Sequence, residues 1–256
     1  MEPVEYQLMD QAEDGMWWYR ALHARILDAL RGTSGRVLDA GCGTGGLLAR
    51  LRANPALDLY GLEYEATAAR RAAGKSGAAV VQGSVNTLPF ADASFAAVIS
   101  ADVLCHTAVD PQAALAEFHR VLAPGGLLVL NLPAFQWMMS AHDIQVHTAR
   151  RTTTAALARD LAAAGFAQPR PRYWNSLLFP LMVLQRKVIS RPGKAALAKA
   201  ALRKNDANGG ETVSDVAAFP PLLDATFHAL TALERRLPIP FPAGGSVLAT
   251  ARKPPA

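Results

Sequence analysis

The sequence predicts a doubly wound α/β fold, a parallel sheet with helices packed on both faces. Two observations carry this. Short apolar strands alternate with helical segments between residues 36 and 174, and the first strand runs directly into a glycine cluster, Gly41-Cys42-Gly43-Thr44-Gly45-Gly46. Such alternation implies βαβ units, whose ligands sit beyond the carboxyl ends of the strands. A third observation is bulk: 256 residues, 51% of them apolar, suffice for one such core with an appendage.

Each element has its own signal. Leu8, Trp17, Trp18, Leu22, Ile26, Leu27 and Leu30 recur at helix-like spacing interrupted by Gly15, which predicts one or two helices closing at Gly32. Arg36 to Ala40 is a short buried strand, and Leu47, Leu48 and Leu51 begin the helix after the glycines. Leu57 to Leu62 forms a second strand ending at Glu63, Ala66 to Ala73 a helix, Ala78 to Val81 a third strand and Phe95 to Ser100 a fourth. Asp110-Pro111 supplies an N-cap with proline at the first helical position; that helix runs to Leu122, and Ala123-Pro124-Gly125-Gly126 turns the chain. Leu127 to Leu132 is the fifth strand. Thr152, Thr153 and Thr154 offer caps for a helix stopping at Gly165, Ala167 to Trp174 is a sixth strand, and Ser246 to Arg252 the last. The organisation expected is an N-terminal helical lid (1–32), the sheet core (33–178), a basic helical insertion (179–240) and the last strand with its tail (241–256).

Charge excludes some classes of function. Lys and Arg number 26 against 21 Asp and Glu, a net +5, and no apolar run approaches the roughly 18–20 residues that span a bilayer. The first residues lack the basic and apolar regions of a signal peptide, which predicts a cytoplasmic protein. Two cysteines, Cys42 and Cys105, make no disulfide framework and no paired-cysteine zinc site. The positive excess is local: between Asp160 and Asp206 there is no acidic residue and there are nine basic ones. Inside that tract Leu177 to Leu184 is apolar and is followed by Arg186-Lys187. It reads as a buried helix with basic residues facing water, or as a surface that touches an anionic membrane through residues 170–204. Nucleic acid is a weaker reading, because only Tyr173 and Trp174 interleave aromatically.

Gly41, Gly43 and Gly46 satisfy the spacing of a dinucleotide fingerprint, which two cofactors share. Asp39 separates them. A carboxylate two residues before the first glycine repels a pyrophosphate but suits S-adenosylmethionine, which brings an ammonium and a sulfonium. The helix start near Thr44 can meet the methionine carboxylate. Glu63, 24 residues after Asp39 at the end of the second strand, can accept both ribose hydroxyls. A nicotinamide-dependent oxidoreductase is therefore the least favoured reading.

With these residues in place the chain resembles the class I S-adenosylmethionine-dependent methyltransferases, in the Methyltransf_11-like small-molecule branch. The resemblance rests on Val37 to Gly45 (VLDAGCGTG), Gly61-Leu62-Glu63, Leu88-Pro89-Phe90 with Phe95 to Ser100, and Arg120 to Gly126, in order over residues 33–175. It implies a Rossmann-like seven-stranded sheet, with Asp39, Gly41, Cys42, Gly43, Thr44 and Gly45 around the methionine part and Glu63 on the ribose. It further implies Tyr64 beside adenine and Gly83, Ser84 and Val85 along the adenine edge, although many relatives carry aspartate where this chain has Ser84. The backbone carbonyls at Ala101 and Asp102, after the fourth strand, would meet the methionine ammonium, and His106 would lie near the transferred methyl.

Methyl transfer from a sulfonium is an in-line displacement, helped by positioning and by exclusion of water. If the acceptor is a hydroxyl, a histidine near neutral pKa can take its proton, and His106 and His147 are the candidates. Further candidates for substrate contact are Trp17, Trp18, Tyr19, Phe135, Trp137, His142, Arg151 and Trp174. No metal is expected: His142, Asp143 and His147 lack partner ligands and the displacement needs none. The Asn/Asp-Pro-Pro-aromatic loop of nucleobase amine methylation is absent after the fourth strand, where the chain reads Ser100-Ala101-Asp102-Val103. The acceptor expected is thus a small, apolar or lipid-like molecule, free or lipid-linked at a membrane surface. Methylation-triggered cyclisation of an isoprenoid, with Trp17, Trp18, Phe135, Trp137 and Trp174 around a carbocation, is the alternative.

Overall fold

A computed structural model describes residues 3–140, 143–144, 146–186 and 220–255. Two helices, α1 (Pro3–Ala12) and α2 (Trp17–Ala29), precede the sheet, with Gly15 in the turn between them. The core then runs β1 (Gly35–Ala40), α3 (Gly46–Leu51), β2 (Leu57–Glu63), α4 (Ala66–Ser76), β3 (Ala79–Gln82), β4 (Phe95–Ala101), α5 (Pro111–Val121) and β5 (Leu122–Pro133). A 3-10 turn (Gln136–Met138), α6 (Thr154–Ala163), β6 (Ala167–Trp174), α7 (Phe179–Leu184), α8 (Pro221–Arg236) and β7 (Ser246–Arg252) complete it.

The caps read from the sequence form. The Asp110 side chain accepts from the N–H groups of Gln112 and Ala113 with Pro111 behind it, and Thr153 accepts from Ala156. Glu65 caps α4 in the same way, and Gly77 ends it in the left-handed conformation.

The seven strands lie in the order β3-β2-β1-β4-β5-β7-β6. Order reverses between β1 and β4, which fixes the ligand crevice at their carboxyl ends. The parallel βαβ units give way at β7, which pairs antiparallel with β5 and β6 in the expected seven-stranded sheet. The reason is where the chain returns. Ser246 opens β7 opposite both Trp174 and Pro133, at the edge where β5 and β6 end, so the strand can only run back. A second departure is the start of β5: Leu122 already pairs with Phe95, and residues 123–126 form an irregularity in a 12-residue strand where a turn was expected.

Side chains alternate across the central strands and divide the core. Leu38, Val98, Leu128 and Leu130 pack with Leu115, Phe118 and Val121 of α5 and with Leu157 and Leu161 of α6. Val37, Ala97, Ile99 and Val129 pack on the other face with Leu22 and Ile26 of α2 and Leu47 and Leu51 of α3. Phe118 is wholly buried, and its truncation to alanine is expected to cost about 3–5 kcal/mol. Proline-bearing β6 sits at a sheet edge with alternating burial, where a missing N–H is tolerated.

Outside the sheet, α8 lies on α2. Trp17 meets Phe227 edge-on at 5.6 Å, and Arg25 pairs with Glu234 at 3.2 Å in a buried contact. No described helix is long and apolar enough to cross a membrane.

Candidate functional site

Beyond the carboxyl ends of β1 and β2 the glycine loop is tied down by backbone. Gly41 and Cys42 both donate to the Leu62 carbonyl, at 2.7 and 3.0 Å. Gly41 and Gly45 each have φ +93°, and a Cβ on Gly45 would stand 2.7 Å from the Ala72 backbone, so the loop's path requires glycine there. The Gly43 N–H donates to Glu63 Oε2 at 2.9 Å, which joins the loop to the end of β2.

The carboxylates here are not neutralised in the ordinary way. Asp39 is 2% exposed, and its pKa is raised to about 7, first by burial and then by the nearby Glu63 and Glu13 carboxylates. No cation faces it among the described residues. Glu63 accepts from Gly43, from the Glu65 N–H and from the Tyr6 hydroxyl at 2.9 Å. Burial and the adjoining Glu63 push the Tyr6 phenol far up, so it stays a donor. Asp102, at the end of β4, is also raised to about 7 by burial, against the pull of Asn131 and Arg151.

The first helix lies over this loop through residues not named as site candidates from the sequence. Tyr6, Met9, Asp10 and Glu13 recur at intervals of three, one and three, which places them on one face of α1. The Met9 methyl lies over Gly43, where a Cβ would stand 2.7 Å from it. Glu13, 4% exposed, accepts from Thr44 Oγ1 at 2.7 Å at the start of α3 and pairs with Lys75 at 2.8 Å. Lys75 and Arg71 of α4 also hold Asp10. The helical spacing of those four residues was the available signal.

The remaining predicted cofactor residues fall around the same loop. Tyr64 follows Glu63 and is 73% exposed. Gly83 donates to the Glu63 carbonyl, Val85 is buried, and Ser84 Oγ accepts from the Asn86 N–H two residues on. Ala101 pairs with Asn131 across the β4–β5 ladder.

Residues 38–130 match the family profile described as a methyltransferase domain. That stretch is a methyltransferase domain. Its family uses S-adenosylmethionine, and the whole chain has the class I methyltransferase fold. Over 130 residues the chain is 35% identical to 24-methylenesterol C-methyltransferase 2 of Oryza sativa subsp. japonica, covering 48% of this chain and 34% of that protein. It spans about a third to a half of the length of the first curated relatives it matches. Among solved structures, a SAM-dependent methyltransferase from Thermotoga maritima superposes with a TM-score of 0.60 at 18% identity, over 98% of this chain and 95% of that one. Geranyl diphosphate C-methyltransferase from Streptomyces coelicolor A3(2) gives 0.56 at 15%, over 92% and 76%.

The site fits the family's cofactor on its own terms. A buried carboxylate with only other carboxylates near it calls for a cationic ligand, and the glycine loop leaves room for close backbone approach.

The domain's acceptor side has a different character. His106 and His147 are brought together by backbone: His106 bridges Thr148, and the Thr107 N–H donates to the His147 carbonyl at 2.9 Å. Burial lowers the His106 pKa. His142 lies outside the described residues. Arg150 donates to the carbonyls of Leu104, His106 and Val109, and Arg151, 5% exposed at its side chain, pairs with Asp143 at 2.6 Å and donates to the Ala134 carbonyl. Both arginines thus brace the loops after β4 and β5.

The five aromatics expected to share one cavity fall into separate groups. Trp17 packs on Phe227, and Trp18 lies beside Tyr19 and 6.0 Å from Trp174. Phe135 stacks on Tyr173 at 5.0 Å and meets Trp137 and Phe179.

Proposed function

We propose that the protein transfers the methyl group of S-adenosylmethionine to a small apolar or lipid-like acceptor. The observation that carries this is Asp39: a buried carboxylate at the switch point with no cation among the described residues, beside a glycine loop joined to Glu63. When bound, the cofactor supplies an electrophilic methyl on a sulfonium, with a neutral thioether as leaving group. Asp39 and Asp102 would offset the cofactor's positive charge, and Glu63 would take the ribose hydroxyls after exchanging its bond to Tyr6. The Gly41–Gly45 backbone would hold the methionine part, with Cys42 and Thr44 in the same loop. Tyr64, Gly83, Ser84 and Val85 would surround the adenine. His106 and His147, linked by the Thr107 contact, would bound the acceptor and take its proton if it is a hydroxyl.

The test is titration calorimetry with S-adenosylhomocysteine, the stable product. Saturable binding is expected for the wild type and its loss for Gly43→Val, whose side chain would meet the Met9 methyl at a positive-φ position and displace the glycine loop. A wild type that binds no S-adenosylhomocysteine overturns the proposal.

A second reading places the acceptor at an anionic membrane surface. It is supported by exposed Trp137, Leu177, Leu181 and Leu184 beside the start of the basic tract. Flotation with anionic and neutral vesicles tests it. Binding should favour anionic vesicles and fall between roughly 0.1 M and 1 M salt, as the screening length drops from about 10 Å to about 3 Å. Equal binding to both vesicle types removes it.

A further inference from the structure

Three side chains form a relay across the carboxyl edge of the sheet. The Trp174 indole N–H donates to Asn131 Oδ1 at 2.7 Å, which fixes the Asn131 amide so that its nitrogen points the other way. That nitrogen donates to both carboxylate oxygens of Asp102, at 3.1 and 3.0 Å. The backbone reinforces the geometry. The Asp102 N–H donates to the Asn131 carbonyl at 2.8 Å, and Asp102 turns the chain with φ +55°, in the left-handed region that aspartate adopts more readily than most side chains.

Burial gives the relay a direction. Asn131 is 1% exposed and Trp174 3%, whereas Asp102 alone of the three is part-exposed. Trp174 is itself held from behind, with the Arg25 guanidinium 4.5 Å from its ring centroid and Glu234 paired to Arg25. Val129 faces the α2 side of the sheet, so Asn131, two residues on, faces that side too, as does Asp39 two residues after Val37. The relay therefore delivers its carboxylate to the edge on which Asp39 lies.

The donor's chemistry decides what the carboxylate is for. An amide orients a carboxylate without cancelling its charge, where an arginine or lysine in the same place would do both. We propose that Asn131 and Trp174 are positioning residues that aim the Asp102 side chain at the α-ammonium of the cofactor's methionine. This rests on the reading of the cleft as an S-adenosylmethionine site. The carboxylate then complements the ammonium directly, and the two buried groups behind it set its angle.

The experiment compares two ligands that differ in the amino-acid part. S-adenosylhomocysteine carries the α-ammonium; 5′-methylthioadenosine keeps the adenosine and thioether and lacks it. Calorimetric affinities are measured for the wild type, Asn131→Leu and Trp174→Phe, the last keeping an aromatic ring while losing the indole N–H and part of the buried ring volume. Asn131→Leu is expected to weaken S-adenosylhomocysteine about tenfold or more and Trp174→Phe about threefold, with 5′-methylthioadenosine unchanged within about twofold in both. A merely structural role would weaken both ligands together, and that result, or an unchanged S-adenosylhomocysteine affinity, overturns the proposal. Should Asn131→Leu fail to fold, Trp174→Phe decides alone. A wild type that binds neither ligand removes the cofactor reading itself and this inference with it.

Discussion

The two ends of the sheet's carboxyl edge treat charge in opposite ways. Around β1 and β2, Asp39, Glu63 and Glu13 crowd together, and Lys75, the one lysine in reach among the described residues, pairs with Glu13 and not with Asp39. Around β5 and β6 the buried charges are matched: Arg151 with Asp143, Arg25 with Glu234, and Glu234 also with the N–H groups of Asn175, Ser176 and Leu177. A buried charge without a partner destabilises a fold, so its persistence marks a place where a ligand completes the arrangement. A buried charge with every bond made marks architecture.

If that contrast is right, the largest effect of a charge change on stability lies at the matched end. Glu234→Ala leaves Arg25 unpaired and three backbone donors unsatisfied, and urea unfolding should show a loss of about 3–5 kcal/mol. Next comes the cofactor loop's own geometry. Gly45→Ala meets the Ala72 backbone at positive φ and should lose roughly 2–4 kcal/mol by the same measurement.

Asp39→Asn separates the two ends most sharply, because it should stabilise. A carboxyl whose folded pKa is raised from 3.8 to about 7 penalises the fold above that pH, less as pH falls, and not at all below the unfolded value. The ligand-free variant should exceed the wild type by about 2–4 kcal/mol near pH 8, with the gain gone near pH 4, while S-adenosylhomocysteine binding weakens by one to two orders of magnitude, roughly. Thermal melts across pH check the first half and calorimetry the second. A variant that is less stable than the wild type at pH 8 would break the contrast.

The smallest effect concerns the covering helix. Tyr6 holds a Glu63 oxygen that the ribose is proposed to use, so Tyr6→Phe frees it. S-adenosylhomocysteine affinity should rise about two- to threefold, in keeping with one exchanged hydrogen bond. A weaker affinity would mean that the phenol contributes to the bound state.

The same contrast explains what could be read from the chain. Asp39, the glycines and Glu63 are legible because one strand, one loop and the next strand end bring them together, and each step leaves a local mark. The antiparallel β7 leaves none, since direction depends on where the chain re-enters the sheet. Tyr6 reaches Glu63 across 57 residues and Trp174 reaches Asn131 across 43, pairings that no local pattern announces. Arg151 is a candidate for substrate contact by its type and place, but whether an arginine is free or spent on Asp143 is decided by packing. Trp17, Trp18, Phe135, Trp137 and Trp174 read from composition as one aromatic set, and their division among α8, α2 and the β5–β6 edge comes from tertiary contacts alone.

The central claim is that the buried Asp39 carboxylate at the end of β1, with no cation facing it among the described residues, awaits an adenosyl ligand that brings an ammonium group. Titration calorimetry of the full chain with S-adenosylhomocysteine at neutral pH tests it most directly. The account predicts saturable one-to-one binding in the micromolar range, weakened in Asp39→Asn. No binding of S-adenosylhomocysteine alongside saturable binding of NADH would contradict it.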